Sequence, residues 1–340
     1  MAKMRKDPTA NKRQQRRLSR LYKTGIARAT VLVHEENKAS FEVIRPLLRD
    51  PRQIETLTRV ARLVAEEGPI NVAQVPQLSP FRYPGGKTWL IPEIRKWIGR
   101  LATKPSVFIE PFAGGAIASL TVAAEGLADH VYMAELDDDV SSVWKTIFHD
   151  PEWLSNKIMR FEVTHENVTK LIAKKPASVR DRAFQTIVRN RTQRGGILAP
   201  GAGLVKNGEN GKGLTSRWYP ETLVKRIRNI HALRKKITFT QADGFDLITK
   251  FSKESSAAFF IDPPYTAGGK SAGRRLYRFN DIDHNALFDK VKKMNGGFLM
   301  TYDDSTEVRE MASRREMKIE EIPMKNTHHA LIRELVITKP

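Results

Sequence analysis

The chain has 340 residues, of which 40% are hydrophobic, so it can bury the core of a catalytic domain with accessory regions. Its formal net charge of +20 favours a polyanion such as nucleic acid as the partner, with a solvated basic surface or an acidic protein partner as the alternatives. The absence of cysteine excludes disulfides, thiolate nucleophiles and cysteine metal sites, and no apolar run approaches the ~18 residues of a transmembrane helix.

The first 24 residues contain nine lysines or arginines and one acid, Asp7, without the apolar stretch of a secretory signal. We therefore expect a cytoplasmic protein without membrane association. This segment is typical either of a solvated, disordered tail or of an arm that adds non-specific DNA affinity. Apolar residues at helical spacing predict two short helices within 35–67, and the prolines of 71–80 indicate a linker. We assign residues 1–76 to a basic N-terminal extension.

From Phe81 onward, strand and helix patterns alternate. Helices are predicted from Trp89 to Leu101 and from Ala116 to Ala124. Strands are predicted at Val107–Ile109, Val131–Leu136, Ala257–Ile261, Gly297–Tyr302 and Leu335–Thr338. Uninterrupted apolar strands separated by helices predict an α/β fold with a mainly parallel sheet buried on both faces. The basic, largely helical stretch 146–239 breaks this alternation, so we interpret it as an insertion into a core formed by 77–145 and 240–340.

A glycine turn follows the first predicted strand, in Glu110-Pro-Phe-Ala-Gly-Gly115. Glycines let a ligand approach the backbone, and the next helix offers free N–H groups at its start. Glu135 stands twenty residues after Gly115, at the end of the next strand, where an acid can accept the ribose hydroxyls of a nucleoside cofactor. The alternative is an ordinary tight turn followed by an exposed acid.

A second candidate site follows the apolar strand 257–261, in Asp262-Pro-Pro-Tyr265. The strand would deliver Asp262 to the carboxyl edge of the sheet, and two prolines remove two N–H donors. The Asp262 carboxylate and the Pro263 carbonyl could accept both N–H bonds of an exocyclic amine, while Tyr265 offers a face on which a base could stack. The alternative is a rigid turn that closes a strand.

A third segment, Tyr83-Pro-Gly-Gly-Lys87, precedes the first helix of the core. Lys87 stands near a helix start, which is unfavourable for a cation. A carboxylate ligand would explain that position, and a solvent-facing lysine is the alternative.

In order and spacing, these three segments and the insertion between them resemble the Dam-like family of DNA adenine methyltransferases, over residues 78–340. Asn190-Arg191-Thr192, Asp283-His284 and Leu299–Asp304 are similar to further family segments. The resemblance implies a Rossmann-like methyltransferase fold with a seven-stranded, mostly parallel sheet whose last strand is antiparallel. It also implies S-adenosyl-L-methionine (SAM) as cofactor, without a metal, and a target-recognition domain in the insertion 146–239.

Carried over residue by residue, the resemblance places Tyr83 and Phe112 in the SAM pocket, Lys87 at the methionine carboxylate and Glu135 at the ribose. The family often has Asp at the ribose position and Asp137, Asp138 and Asp139 follow closely, so the ribose ligand stays open. The full set of cofactor-binding candidates is Tyr83, Gly86, Lys87, Glu110, Pro111, Phe112, Gly114, Gly115, Glu135, Asp243 and Asp262. The catalytic candidates are Asp262, Pro263, Pro264 and Tyr265.

The resemblance therefore implies a site-specific enzyme that methylates N6 of an adenine flipped out of duplex DNA. We expect residues 190–219 to form a loop or hairpin in the major groove. Candidate DNA contacts are Arg191, Gln193 and Arg194 for the bases, Lys206, Lys212 and Arg217 for the phosphates, and Asn190 without an assigned partner. The alternative is that all of them contact phosphates only. A monomer or weak dimer is expected, and a cognate restriction endonuclease is a candidate partner.

Rival functions remain at this point. The same fold and Asp262 segment would suit methylation of cytosine N4, an RNA base or a protein glutamine. A catalytically idle DNA-binding protein is the rival of another class. Methylation of cytosine C5 is excluded, because it usually proceeds through a cysteine nucleophile and the chain has none.

Overall fold

The computed structural model describes residues 75–82, 86–199, 201–208, 211–265, 282–325 and 331–339. The predicted helices of 35–67, the basic segment 1–24 and Tyr83 lie outside the described residues. No helix within the described ranges is long and apolar enough to cross a membrane.

Seven strands form one sheet in the order β3-β2-β1-β4-β5-β7-β6. They are β1 Val107–Glu110, β2 His130–Ala134, β3 Ile237–Thr240, β4 Ala257–Ile261, β5 Gly297–Asp303, β6 Lys318–Lys325 and β7 Leu331–Thr338. Strands β1 to β5 pair in parallel, whereas β7 runs antiparallel to both β5 and β6. The prediction of a mostly parallel seven-stranded sheet with an antiparallel last strand is confirmed.

The described helices connect these strands. They are α1 Ile91–Arg100, α2 Ile117–Glu125, α3 Asp138–His149, α4 Pro151–Arg160, α5 His165–Ala173, α6 Val179–Thr192, α7 Pro220–Ala232, α8 Gly244–Phe251, α9 His284–Lys292 and α10 Thr306–Ser313. A 3-10 turn, Lys87–Leu90, leads into α1. Apolar spacing predicted α1 and α2 to within two or three residues of their observed ends.

Side chains of alternate sheet residues enter separate cores on the two faces of the sheet. Phe108 and Phe260 belong to the core beneath α1 to α7, while Ile109 and Phe259 belong to the core that includes α8, α9 and α10. All five residues of β4 are buried. A strand covered on both faces has no solvent side, which is why its sequence is an uninterrupted apolar run.

Helices α4 to α7 lie in the chain between β2 and β3, within the predicted insertion. Helix α3 spans the predicted boundary at 145/146, and β3 spans the one at 239/240. Asp139 on α3 pairs with Arg182 and Arg189 on α6, at 3.3 and 2.7 Å. This ion-pair triad joins the last helix of the core to the longest helix of the inserted segment.

Strands β3 and β6 were not predicted from the sequence. Both are edge strands, so each pairs with a single neighbour and lacks a continuous apolar run. In β3, burial alternates along Ile237–Thr240, and in β6 charged residues surround Ile319 and Ile322. The observed β2 also ends at Ala134, two residues before the predicted end.

The strand order reverses at β1, which lies between β2 and β4. Ligands of open α/β sheets bind at such a reversal, outside the carboxyl ends of the strands. Glu110 ends β1, Glu135 follows β2 and Asp262 follows β4. The fold therefore brings the three acids selected from the sequence to one edge of the sheet.

Candidate active site

The turn after β1 has a constrained backbone. Gly114 and Ala116 adopt positive φ values of 46° and 51°, and the latter is unusual for a residue with a side chain. Ala113 N–H donates to the carbonyl of Ala134 at 2.9 Å, and Trp144 Nε1 donates to the carbonyl of Gly114 at 3.0 Å. The turn is thus fixed from both β2 and α3. Backbone strain held by surrounding structure is a feature of ligand-binding sites.

Glu110 is buried at the end of β1, beneath the start of α2. Its Oε2 accepts a hydrogen bond from the backbone N–H of Ser119 at 2.8 Å, so it serves α2 as a capping group that the Ala116 side chain cannot provide. Burial raises the pKa of Glu110 to about 8, with the charges of Asp262 and Glu135 adding to the effect. Glu110, a cofactor-binding candidate, therefore lies beneath the glycine turn.

Glu135 joins the end of β2 to the glycine turn. One carboxylate oxygen accepts from Gly114 N–H and the other from Asp137 N–H, both at 2.9 Å. Burial raises the pKa of Glu135 to about 7 despite these hydrogen bonds. Asp137 caps α3, Asp138 accepts from Gln241 at 2.6 Å and Asp139 pairs with α6. Of the four acids weighed for the ribose, Glu135 alone contacts the glycine turn within the described residues.

Phe112 packs directly against the start of α8. A Cβ added to Gly244 would lie 2.7 Å from the Phe112 ring and 2.7 Å from the Pro111 carbonyl, so only glycine fits there. Asp243 is exposed and caps α8 by accepting from Phe245 N–H at 2.9 Å. Contact of Asp243 with the cofactor stays a prediction.

Asp262 lies just beyond β4, and three donors converge on one of its oxygens. Tyr265 OH at 2.9 Å, Thr301 Oγ1 at 2.7 Å and Lys87 Nζ at 2.9 Å all contact Oδ1. Within the described part of the chain, no donor contacts Oδ2 or the carbonyl of Pro263. The carboxylate is therefore held through one oxygen, while the other remains available as an acceptor.

Lys87 is 4% exposed and lies between two carboxylates of the chain itself. Its Nζ is 2.9 Å from Asp262 Oδ1 and 3.6 Å from Glu334 Oε1. Both carboxylates raise the pKa of Lys87 against the opposing effect of burial, whereas burial raises the pKa of Glu334 to about 7. The sequence predicted a ligand carboxylate near Lys87. The structure supplies Asp262 and Glu334 in that place, so contact with a methionine carboxylate stays a prediction.

The Tyr265 ring is packed inside this network. It stacks on Tyr302 with ring centres 5.7 Å apart, and Lys87 Nζ lies 4.9 Å from its centroid. Tyr302 in turn shares a hydrogen bond with His284 at 2.8 Å. Protein groups thus contact both the hydroxyl and the ring of Tyr265, and stacking of a target base on it stays a prediction.

Three of the seven expected DNA contacts have buried side chains. Asn190 donates to the carbonyls of Arg82 and Gly196, Arg191 donates to the carbonyl of Pro80, and Gln193 donates to the carbonyl of Ala202. None is more than 6% exposed. These side chains bind loop backbone of the protein, and their contact with DNA stays a prediction.

The other four expected contacts lie at or near the surface. Arg194, Lys206 and Lys212 are exposed, and Arg217 is half-buried. Arg194 N–H donates to the carbonyl of Gly203, and Val205 N–H donates to that of Thr192, which closes a short hairpin-like loop over 193–204. These contacts lie within the predicted range 190–219, and a loop or hairpin of that whole range in a DNA groove stays a prediction.

Sequence analysis missed Thr301 and Glu334. Thr301 is fully buried on β5, next to β4, which places its hydroxyl against Asp262. Glu334 is 7% exposed on β7, one residue before the predicted start of that strand. The available signal was a lone acid directly preceding the apolar run Leu335–Ile337.

Comparison with known proteins places the chain among methyltransferases. The family model for "D12 class N6 adenine-specific DNA methyltransferase" matches residues 83–327, which is most of the chain and includes all three motifs. A search of curated proteins found no match.

Solved structures give distant similarities only. A putative RNA methyltransferase from Pyrococcus horikoshii is 11% identical with a TM-score of 0.34, over 82% of this chain and 96% of that one. The rRNA methyltransferase aviRa from Streptomyces viridochromogenes is 11% identical with a TM-score of 0.35, over 81% and 91%. At these scores the similarities do not bear on the substrate.

Proposed function

Since the chain belongs to the D12 class N6 adenine-specific DNA methyltransferase family, we propose that it transfers a methyl group from SAM to N6 of an adenine flipped out of duplex DNA. The observation that carries the proposal is the arrangement of Asp262. Three donors hold Oδ1, and Oδ2 has no donor among the described residues.

An exocyclic amine fits the acceptors at this position. The N6 lone pair of adenine is delocalised into the ring, so the amine is a poor nucleophile. Asp262 Oδ2 and the Pro263 carbonyl would accept its two N–H bonds, favour a more tetrahedral nitrogen and orient the lone pair. Pro263 and Pro264 have no N–H that could compete for these acceptors. Catalysis then consists of positioning and electrostatic stabilisation.

The residues around the glycine turn fit a nucleoside cofactor. Glu135 presents a half-buried carboxylate at the carboxyl edge of the sheet, and Gly114 and Gly115 allow close approach to the backbone. Phe112 offers an apolar surface beside Gly244. We assign the ribose to Glu135 and the adenosine ring to Phe112. SAM, when bound, supplies a methyl group on a positively charged sulfur.

The reaction also releases one N6 proton, because the methylated amine is neutral. In the proposed complex, Asp262 Oδ2 accepts one of the two N–H bonds and is placed to receive that proton. Lys87 and Thr301 hold the opposite oxygen, so they keep the carboxylate oriented while Oδ2 engages the base.

The test is to express the full chain in a methylation-free strain and to measure methylated nucleosides in its DNA and RNA by mass spectrometry. We expect N6-methyladenine in DNA. Asp262→Asn should lower the yield at least about a hundredfold, the effect typical of losing one group that stabilises a transition state. Asp129→Asn is the matched control, because Asp129 is an exposed aspartate that pairs with Lys104 at the amino edge of the sheet. N4-methylcytosine, methylation of RNA alone, or an unchanged yield with Asp262→Asn would contradict the proposal.

A further inference from the structure

Three arginines from separate parts of the chain meet at the segment 79–82. Arg191, near the end of α6, donates to the carbonyl of Pro80, and Arg226 on α7 donates to the carbonyl of Ser79 at 3.0 Å. Arg82 belongs to the segment itself, and its backbone exchanges hydrogen bonds with Asn190 at 2.9 and 3.0 Å. We call Arg82, Arg191 and Arg226 the arginine cluster.

No described carboxylate forms an ion pair with any member of the arginine cluster. Other arginines on the same helices do form ion pairs with carboxylates. Arg182 and Arg189 on α6 share Asp139, and Arg228 on α7 pairs with Glu152 at 2.8 Å. Within the described ranges, acids thus neutralise neighbouring arginines on α6 and α7, whereas none pairs with the three guanidinium groups of the cluster.

Arg191 is the most confined member of the arginine cluster. It is only 5% exposed, and its buried Nε has no hydrogen-bond partner in the part of the chain that the structure describes. Burial, together with the charges of Arg226, Arg82 and Arg217, lowers the pKa of Arg191 to about 9. The group still carries its charge at neutral pH. A buried charge without a counter-ion is costly, so an anion bound at the cluster would relieve both desolvation and mutual repulsion.

The shape and charge of the cluster indicate which anion would fit. Guanidinium groups present forked N–H donors that match the oxygens of a phosphate. Arg82 and Arg226 are half-buried, so a ligand can reach them from solvent. The segment continues within five residues to Lys87, which contacts Asp262. A phosphate held at the cluster would therefore lie on the chain segment that leads into the candidate active site.

We propose that the arginine cluster binds a phosphodiester group of the DNA backbone. The proposal rests on the proposed function, because it takes the substrate to be DNA. It also revises the role of Arg191, from reading a base to supplying buried positive charge behind a phosphate. The exposed residues Arg194, Lys206 and Lys212 remain separate DNA-contact candidates.

The experiment compares Arg82→Gln and Arg226→Gln with Arg228→Gln in the full chain. Each variant removes one positive charge, and Arg228 lies on the same helix as Arg226 but pairs with Glu152. Binding to a labelled DNA duplex is measured by fluorescence anisotropy from 50 to 200 mM salt. If the cluster's single phosphate contact needs both Arg82 and Arg226, its loss lowers the slope of log K against log salt by about 0.9 in each cluster variant. Affinity at 0.1 M salt then falls about eightfold by the same relation. Arg228→Gln should keep the wild-type slope.

Melting temperature and calorimetric SAM binding separate this role from a structural one. We expect both to stay at wild-type values in Arg82→Gln, whose side chain makes no described hydrogen bond. Equal slopes in all three variants, or a wild-type slope in Arg82→Gln, would overturn the proposal. A wild-type chain that binds DNA but does not methylate it would contradict the proposed function. The phosphate proposal would still be tested in that case, because the salt dependence of the cluster variants does not depend on methylation.

Discussion

Replacing Lys87 with Met should destabilise the protein in a manner that depends on pH. The substitution removes the ammonium that lies 2.9 Å from Asp262 and 3.6 Å from Glu334, both in a site with little exposure. Removing one member of a buried ion pair typically costs about 3–5 kcal/mol. We expect a loss near the lower end, ~3 kcal/mol, because Asp262 keeps the hydroxyl donors of Thr301 and Tyr265.

The pH dependence of this loss comes from Glu334. Its pKa in the folded protein is about 7, and the charge of Lys87 lowers it. Without Lys87, the folded pKa rises further above the unfolded value of about 4.5. A carboxyl whose folded pKa is raised contributes stability at low pH that is lost as pH rises towards the folded pKa. The deficit of Lys87→Met should therefore be constant below about pH 6 and grow above pH 7, by up to ~1.4 kcal/mol per pH unit.

Urea unfolding of the full chain at pH 6 and pH 8, followed by tryptophan fluorescence, measures this difference. Lys87→Met/Glu334→Gln is the matched control, because glutamine keeps the size of the side chain and cannot ionise. The double variant should show the same deficit at both pH values. A Lys87→Met deficit that does not change between pH 6 and pH 8 would refute the assignment of the pH dependence to Glu334.

Two further predictions concern the region of the glycine turn. The pKa of Glu110 is raised to about 8, so the unfolding free energy of the wild-type protein should decrease as the pH rises from 5 to 8. Glu110→Gln cannot ionise, so this decrease should be smaller in the variant. Parallel pH profiles for wild type and variant, measured by urea unfolding, would contradict the burial of an ionisable group there. Gly244→Ala should lower SAM affinity at least tenfold by displacing Phe112, since the added Cβ would lie 2.7 Å from its ring. Gly203→Ala, where a Cβ meets nothing within 4 Å, should leave calorimetric SAM binding unchanged, and equal affinities in both variants would refute the steric argument.

The acids at the strand ends could be identified from the sequence, because a buried strand is an apolar run and the first acid after that run marks its end. Asp262 ends an apolar run that is fully buried, and the glycine turn marks the place where β1 passes into α2. The edge strands β3 and β6 lack this signal, because each has a single neighbour in the sheet. Continuous apolar runs therefore revealed the centre of the sheet and left both edges unpredicted.

Exposure of charged side chains could not be predicted from local sequence. Arg191 and Gln193 lie in a basic, glycine-containing segment, where long polar side chains are usually exposed. Their burial depends on residues 79–82 and on the loop 193–204, which are brought together only by the tertiary fold. Glu334 is a similar case, because its contact with Lys87 joins residues from nearly opposite ends of the described chain.

The placement of β7 has a consequence for protein synthesis. This strand is the last of the chain, yet it lies inside the sheet between β5 and β6, and it carries the second carboxylate beside Lys87. A nascent polypeptide that has not yet released β7 has a gap in its sheet and an incomplete charge network around Asp262. If the proposed function holds, termination upstream of Leu331 should therefore yield a product that lacks Glu334 beside Lys87 and does not methylate DNA.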